Sequence, residues 1–344
     1  MDINYVTTLR LMLGTLVGTS ILFPRLYQPL LDHLWEVLQH NTIYRWSTFE
    51  TIWTVFCYAG IEPWMTYIFM QHPEWRLAAK NKKSDEPIRK PHGMRRPSRR
   101  LLEGLTYIAP LLTLDLLMIK KFADVPLEAM LISGNYDPSL VLASASTNST
   151  TITNTCSGTT CHTHFLMPST HNFSWASPLQ THRALPTLAP TSRRLSLELL
   201  TSFIIYDFLF FLFHLSMHHL PILRTWHMPH HTHAEIHPQI TNQLHIVERL
   251  GLVLLANFSL NIIGSHVLTR TLFVPVFVWL LVEIHSGLDL PWGYEKVLPT
   301  GWGGGAAKHA RHHAGTDGQA GLEPYFEWCD KGLDWCRRRW VRAR

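Results

Sequence analysis

Leu197-Glu-Leu-Leu-Thr-Ser-Phe-Ile-Ile-Tyr-Asp-Phe-Leu-Phe-Phe-Leu-Phe-His214-Leu-Ser-Met-His218 sets an apolar run directly against two histidines four residues apart. The run from Leu197 to Phe213 is long enough, at about 1.5 Å per residue, to cross most of a bilayer core of about 30 Å. The spacing of His214 and His218 puts both imidazoles on one face of a helix. A membrane helix is therefore expected to end in a pair of potential metal ligands. The pattern then repeats: His227, His230 and His231 stand at i, i+3 and i+4, and so do His309, His312 and His313. Fourteen of the 22 histidines fall between His214 and His313, so chance scatter is a poor account of them. Neutral imidazole is the commonest metal ligand, and burying it without a partner costs desolvation energy. These histidines are expected to converge on metal.

The composition agrees with a membrane setting. Of 344 residues, 46% are hydrophobic and only 16% charged, unlike a typical soluble enzyme. The five cysteines, Cys57, Cys156, Cys161, Cys329 and Cys336, are too scattered for a disulfide framework and form no CxxC pair. Cys156 and Cys161 are placed to bridge if their loop faces an oxidising lumen, whereas Cys329 and Cys336 are expected to stay reduced. The net charge of +5 is concentrated at Arg76–Arg100 and Arg337–Arg344. Such blocks beside apolar helices point to anionic lipid headgroups rather than nucleic acid.

In chain order, Tyr5–Phe23 reads as a first span and Ile52–Met70 as a second. Glu62, inside the second, reads as a helix-end residue. Arg76–Arg100 carries ten Lys or Arg against Asp85 and Glu86, the signature of a short cytoplasmic loop. Leu101–Ile119 is a third span. Residues 138–196 are rich in Ser, Thr and Pro and are expected to form a lumenal insertion unable to bury a core, with sequons at Asn148 and Asn172 that glycosylation can use. Leu197–Phe213 returns to the cytoplasmic face. Leu250–Gly264 and Leu268–Ile284 form a hairpin that delivers His285 to the face it left. The expected fold is thus all-α: an integral membrane helical bundle of four to six passes, with a cytosolic helical cap, from segments 214–249 and 285–330, holding a histidine-rich di-metal site. Trp328, Trp335 and Trp340 beside Arg337–Arg339 suit a closing helix at headgroup level.

The motifs His214-Leu-Ser-Met-His218, Trp226-His227-Met-Pro-His230-His231, His245-Ile-Val-Glu248, His285-Ser286-Gly287-Leu-Asp289-Leu-Pro291 and His309-Ala-Arg-His312-His313 resemble, in order and spacing, the fatty acid hydroxylase and sterol desaturase superfamily. The likeness runs from Asp207 to about Asp334, and Tyr325-Phe-Glu-Trp-Cys-Asp330 resembles the family's closing aromatic-Asp motif. It divides the chain into N-terminal membrane helices (1–137), the insertion (138–196), a catalytic region (197–335) and a basic tail (336–344). The resemblance implies an oxygenase of the endoplasmic reticulum membrane with its site facing the cytosol. Two iron ions would be held by His214, His218, His227, His230, His231, His285, His309, His312 and His313. His245 falls where the family often has His-Pro-x-Glu, and is carried as a tenth ligand although position 246 is Ile. O2 would be the co-substrate, with electrons from NAD(P)H through cytochrome b5 and its reductase; no dinucleotide fingerprint occurs in this chain. Nine or ten histidines meet the demand of two irons, where one zinc needs three or four. Asp207, Glu248 and Asp289 are the acids placed by sequence to accept the second ring proton of those imidazoles.

Other readings compete. A zinc protease wants H-E-x-x-H, and in His233-Ala-Glu235-Ile-His237 the glutamate is misplaced. A metal transporter would set ligands within spans, near the midplane, rather than beyond their ends. A family member with a non-redox role, isomerase, cyclase or lipid binder, would retain the fold without the oxidation. Solvated surface positions are expected for His33, His40, His72, His92, His162, His164, His171 and His182, and for the off-pattern His219, His233 and His266. The substrate class implied is lipophilic: sterol-like, fatty acyl, or a terpenoid or polyketide intermediate entering from the bilayer. The His285-Ser-Gly-x-Asp-x-Pro run resembles the sterol-oxidising branch.

Overall fold

The computed structural model describes residues 3–80, 94, 108–126, 129–130, 133, 170, 179–233, 235–315 and 321–342. Most of the basic loop, both sequons, Cys156, Cys161, and the histidines at 92, 162, 164 and 171 lie outside the described residues. Among those described, the chain is helical, with isolated β-bridges and no named strand. The helices used below are α1 (Ile3–Leu22), α2 (Pro24–His40), α3 (Phe49–Gln71), α4 (Ser192–His219), α5 (Pro221–His227), α6 (Ile246–Ile262), α7 (Val267–Ile284), α8 (Gly305–Ala314) and α9 (Trp328–Arg342).

Three described helices are long and apolar enough to cross a membrane: Tyr5–Leu22, Ser192–His219 and Val267–Ile284. The expected third span is represented by the shorter apolar helix Ile108–Leu117, and α6 has 17 residues. The expected second span, Ile52–Met70, lies in α3, which is 23 residues long but falls short of the three in apolarity, whereas α6 falls short in length. α1 exposes Leu11, Met12, Leu13 and Leu16, as a helix facing lipid must.

The helices share two ends. α4 and α7 run toward the histidines, and α6 runs away from them, so the α6–α7 hairpin starts at Glu248 and returns at His285. α1 lies antiparallel to α4: Arg10 donates to the Lys296 carbonyl at 2.6 Å near the histidine end, and Ser192 Oγ donates to the Ser20 carbonyl at 2.7 Å at the other. α3 packs alongside α7 and ends where residues 75–77 bond to the backbone at 287–289. Two glycines permit close approaches. A Cβ on Gly251 in α6 would stand 2.5 Å from the Phe213 ring of α4, and Gly287, at φ +67°, brings its backbone against the Ile236 carbonyl.

Packing without water to drive it leans on buried polar pairs. At the distal end, Arg183 is fully buried and donates to the Tyr44 carbonyl and to Glu50, while Arg270 donates to Glu50, Asn257 and Asn261. His266, expected at the surface, is fully buried there: its ring accepts from Leu268 N as the cap of α7 and packs on Trp35 at 4.7 Å. Glu62 is also not a helix-end residue. It sits inside α3, 3% exposed, and accepts from Thr66.

α2 has no uniformly apolar run to mark it as a span, because its pattern is amphipathic. It buries Leu31 and Trp35 and exposes Leu26, Leu30, Leu34 and Val37 on an adjacent stripe, beside a polar face carrying Arg25, Asp32 and Glu36.

Candidate metal centre

The chain from α4 to α9 builds one site at the histidine end. α4 does not stop at Phe213 but continues through His214 and His218 to His219, so these two imidazoles belong to the helix that spans rather than lying beyond it. Its persistence follows from the absence of any breaker before Leu220-Pro221. His227 closes α5, and His230 and His231 follow on a 3-10 turn entered through Pro229, whose ring ends the α-helix. His285 caps α7, and α8 carries His309, His312 and His313.

Nine imidazoles meet in two groups. His214, His218, His227, His231 and His312 form one, and His230, His285, His309 and His313 the other, with the possible ligand atoms of each group all within 4.8 Å of one another. Eight of the nine are buried; His231 is half-buried. In the first group Nε2 atoms face each other at 3.1 Å (His214 and His227), 3.1 Å (His218 and His312) and 2.9 Å (His231 and His227). In the second, His285 Nε2 lies 3.3 Å from His230 Nε2 and 3.0 Å from His309 Nε2.

The opposite ring nitrogens explain why the His214–His227 pair is not a hydrogen bond. His227 Nδ1 meets Glu248 Oε1 at 2.9 Å, His214 Nδ1 meets the Leu322 carbonyl at 2.9 Å, and His285 Nδ1 meets the Leu281 carbonyl at 2.8 Å. Each acceptor calls for a proton on Nδ1, which leaves Nε2 with its lone pair. Lone pairs converging at about 3 Å repel unless a cation sits among them, and imidazoles bound cis to one ion at about 2.1 Å stand about that far apart. The donor set fits a metal. Burial also keeps the rings neutral, the form that ligates: it holds His285 down to about 4 and His231 to about 3, and it lowers His230, His309 and His313 well below their ordinary value.

Of the three acids proposed to orient imidazoles, only Glu248 does so. Asp207 instead accepts from the backbone N–H of Tyr325 at 2.8 Å and Phe326 at 3.2 Å. Asp289 pairs with Lys296, and both side chains remain about one-third exposed. His245, the expected tenth ligand, lies outside both groups: its Nδ1 accepts from Val247 N at 3.3 Å, capping α6, and its ring stacks on Trp226. With Nδ1 turned to the first turn of its own helix and its ring stacked on Trp226, His245 is held apart from both groups. Leu322 and Leu281, whose backbone carbonyls take the roles assigned to Asp207 and Asp289, carry no sequence signal for them, because every residue has a carbonyl. Asp330, in the closing aromatic-Asp motif, accepts from Leu322 N at 3.1 Å and so holds in place the segment that orients His214. His219 is exposed, as expected of an off-pattern residue, whereas His233, also expected at the surface, is half-buried.

Two outcomes follow from this geometry. Glu248→Ala is expected to weaken metal binding 10- to 100-fold, roughly 1.4 to 2.8 kcal/mol, with Glu248→Gln intermediate because its amide oxygen still accepts; a chelator titration of the purified protein reads it. The second concerns pH. Imidazoles near 6.5 in the unfolded chain take up protons before His231 or His285 does in the fold, so the metal-free protein is most stable above about pH 6.5 and loses stability as pH falls toward 4. Thermal unfolding in detergent at pH 7.5, 6.0 and 4.5 checks the sign, and metal release is expected over the same window.

Helices long and apolar enough to cross a membrane that end in a cage of nine imidazoles, eight of them buried, define a membrane-embedded, histidine-box metalloprotein. The fatty acid hydroxylase family matches residues 199–334, which span every histidine of the cage. Human (Homo sapiens) cholesterol 25-hydroxylase is 33% identical over 192 residues, 55% of this chain and 68% of the relative. Zebrafish (Danio rerio) cholesterol 25-hydroxylase-like protein is 35% identical over 42% of this chain and 57% of the relative, and methylsterol monooxygenase 2-2 of Arabidopsis thaliana is 31% identical over 36% and 46%. No solved structure matches the chain. The chain belongs to the fatty acid hydroxylase and sterol desaturase superfamily.

Proposed function

We propose that this protein is a membrane-bound di-iron oxygenase that hydroxylates, oxidises or desaturates an unactivated C–H position of a lipophilic substrate, with a sterol-like molecule favoured over fatty acyl and terpenoid or polyketide alternatives. The observation that carries the reading is the paired cage: five and four imidazoles in adjoining groups, with Nε2 atoms facing one another at 2.9 to 3.3 Å. The first group, His214, His218, His227, His231 and His312, would hold one iron, and His230, His285, His309 and His313 the other. Bound there and reduced, the metal pair supplies activation of O2 toward a C–H bond. The names of the relatives, hydroxylases and a monooxygenase of sterols, support the substrate class.

The chain's own residues prepare that chemistry. Glu248 and the carbonyls of Leu322 and Leu281 hold the proton on Nδ1 of His227, His214 and His285, so that Nε2 stays open to the metal. Tyr206, Phe210, Phe273, Phe277 and Tyr325 form an aromatic layer beneath the cage on the membrane side, with ring centroids 5.0 to 6.4 Å apart. That layer excludes water and supplies an apolar wall to a substrate arriving from lipid. Electrons would come from NAD(P)H through cytochrome b5 and its reductase, in the endoplasmic reticulum membrane with the cage toward the cytosol; the basic loop at 76–100 supports that orientation.

Metal analysis of the purified protein joined to an oxygen-uptake assay tests the reading. Two irons per chain and substrate-dependent uptake are expected. Iron without uptake would favour the non-redox reading, and no transition metal in an active preparation would end the proposal. Deletion of the gene followed by lipid profiling names the substrate through the precursor that accumulates.

A further inference from the structure

Along the bundle's flank, away from the cage, α3 and α7 enclose a lined groove of about 510 Å³ that the chemistry above does not use. Phe56 and Trp64 of α3, both more than half exposed, and Trp279 of α7 form its walls. It lies against α7, a helix long and apolar enough to cross a membrane, and the large apolar side chains Phe56 and Trp64 stand exposed at it, which suits lipid rather than water.

One turn of α3 gives this groove a polar point. Pro63 lies inside the helix and has no N–H, so the carbonyl of Ala59, four residues back, has no helical donor. Ala59 lines the groove, and so does Gly60 beside it, where a Cβ would meet nothing within 4 Å. A carbonyl without a donor is expensive in hydrocarbon, and a ligand hydroxyl would satisfy it. The facing wall is fixed in place, because the Trp279 indole N–H donates to Glu283 Oε2 at 2.6 Å and cannot serve the ligand instead.

We propose that this groove binds a sterol-like lipid, with its fused-ring body between Trp64 and Trp279 and its hydroxyl donating to the Ala59 carbonyl. Flat indole and phenyl walls suit a rigid polycycle, which loses little conformational freedom on binding, whereas an acyl chain loses rotamers and brings no donor to this depth. Trp279 precedes His285 by six residues on the same helix, roughly 9 Å of rise, so the groove lies along the seam that leads to the cage. The groove thereby holds the substrate for oxidation, an assignment that rests on the oxygenase reading above.

The test uses the full-length, metal-loaded protein in phosphatidylcholine vesicles with a diazirine-bearing cholesterol probe. In the wild type, crosslinks are expected in the peptides containing Phe56–Trp64 and Trp279, and unlabelled cholesterol should suppress them. Gly60→Trp fills the groove without touching helix packing, and should cut that labelling at least tenfold and raise KM for a sterol substrate with metal content unchanged; Gly60→Leu should have a smaller effect in the same direction. Crosslinks that map elsewhere, labelling that survives Gly60→Trp, or equal labelling by a diazirine fatty acid would overturn the assignment. Sterol labelling at the groove in a protein that shows no oxygen uptake would leave the binding site standing and sink the oxygenase reading. Undiminished turnover in Gly60→Trp, with the label gone, would do the reverse.

Discussion

His312→Ala is expected to leave no measurable turnover, with the protein still inserted in the membrane and recovered at wild-type level. His312 Nε2 stands 3.1 Å from both His214 Nε2 and His218 Nε2, so it joins α8 to the two imidazoles of α4. Its loss removes one of five ligands from the first group and cuts the link between α8 and that group, leaving His309 and His313 in the second. His230→Ala should do the same to the four-ligand group, where no fifth imidazole compensates. Insertion survives because the apolar helices that carry the chain into lipid, α1, α4 and α7, keep every apolar residue. Normal product formation by either variant would remove that histidine from the ligand set, and metal per chain, measured on the same samples, separates lost metal from lost chemistry.

The next largest effect is expected from Asp207→Ala, through the fold rather than through a histidine. Its Oδ1 accepts from both Tyr325 N and Phe326 N, and each buried N–H left without an acceptor costs about 1–3 kcal/mol. The total is a large share of the 5–15 kcal/mol that holds a typical domain. Because Tyr325 and Phe326 follow Leu322, whose carbonyl orients His214, loosening them should also lower metal content. Asp207→Asn keeps an oxygen in the same place and should restore most of both. Asp289→Ala, which breaks a part-exposed pair with Lys296, should cost about 0–1 kcal/mol through that pair and leave metal content unchanged. Equal losses in Asp207→Ala and Asp289→Ala would contradict these separate roles. Thermal unfolding and metal analysis of the three variants decide it.

These cases show why some of the site was readable from residues and some was not. Histidine spacing is a local property: imidazoles at i, i+3 and i+4 share a helix edge whatever the rest of the chain does, and nine of the ten histidines carried as ligands do come together. Acidic partners are not local. Glu248 reaches His227 across 21 residues, while Asp207, much nearer in sequence to His214, turns instead to residues 118 and 119 positions away. His245 and His266 look alike to the eye as off-helix histidines, and both prove to be helix caps, one exposed and one fully buried.

What the chain's residues determine unaided is the class of object: apolar runs of spanning length, imidazoles repeating at helical intervals, and hence a helical membrane protein with a metal cage. Both are patterns of near neighbours, governed by a rise of about 1.5 Å per residue and a turn of 3.6. Only the tertiary structure decides how nine rings divide into five and four, which backbone carbonyls hold their protons, and that α3 and α7 leave a groove between them. Those outcomes depend on the approach of helices far apart in sequence, and backbone groups that every residue carries leave no mark in the order of side chains.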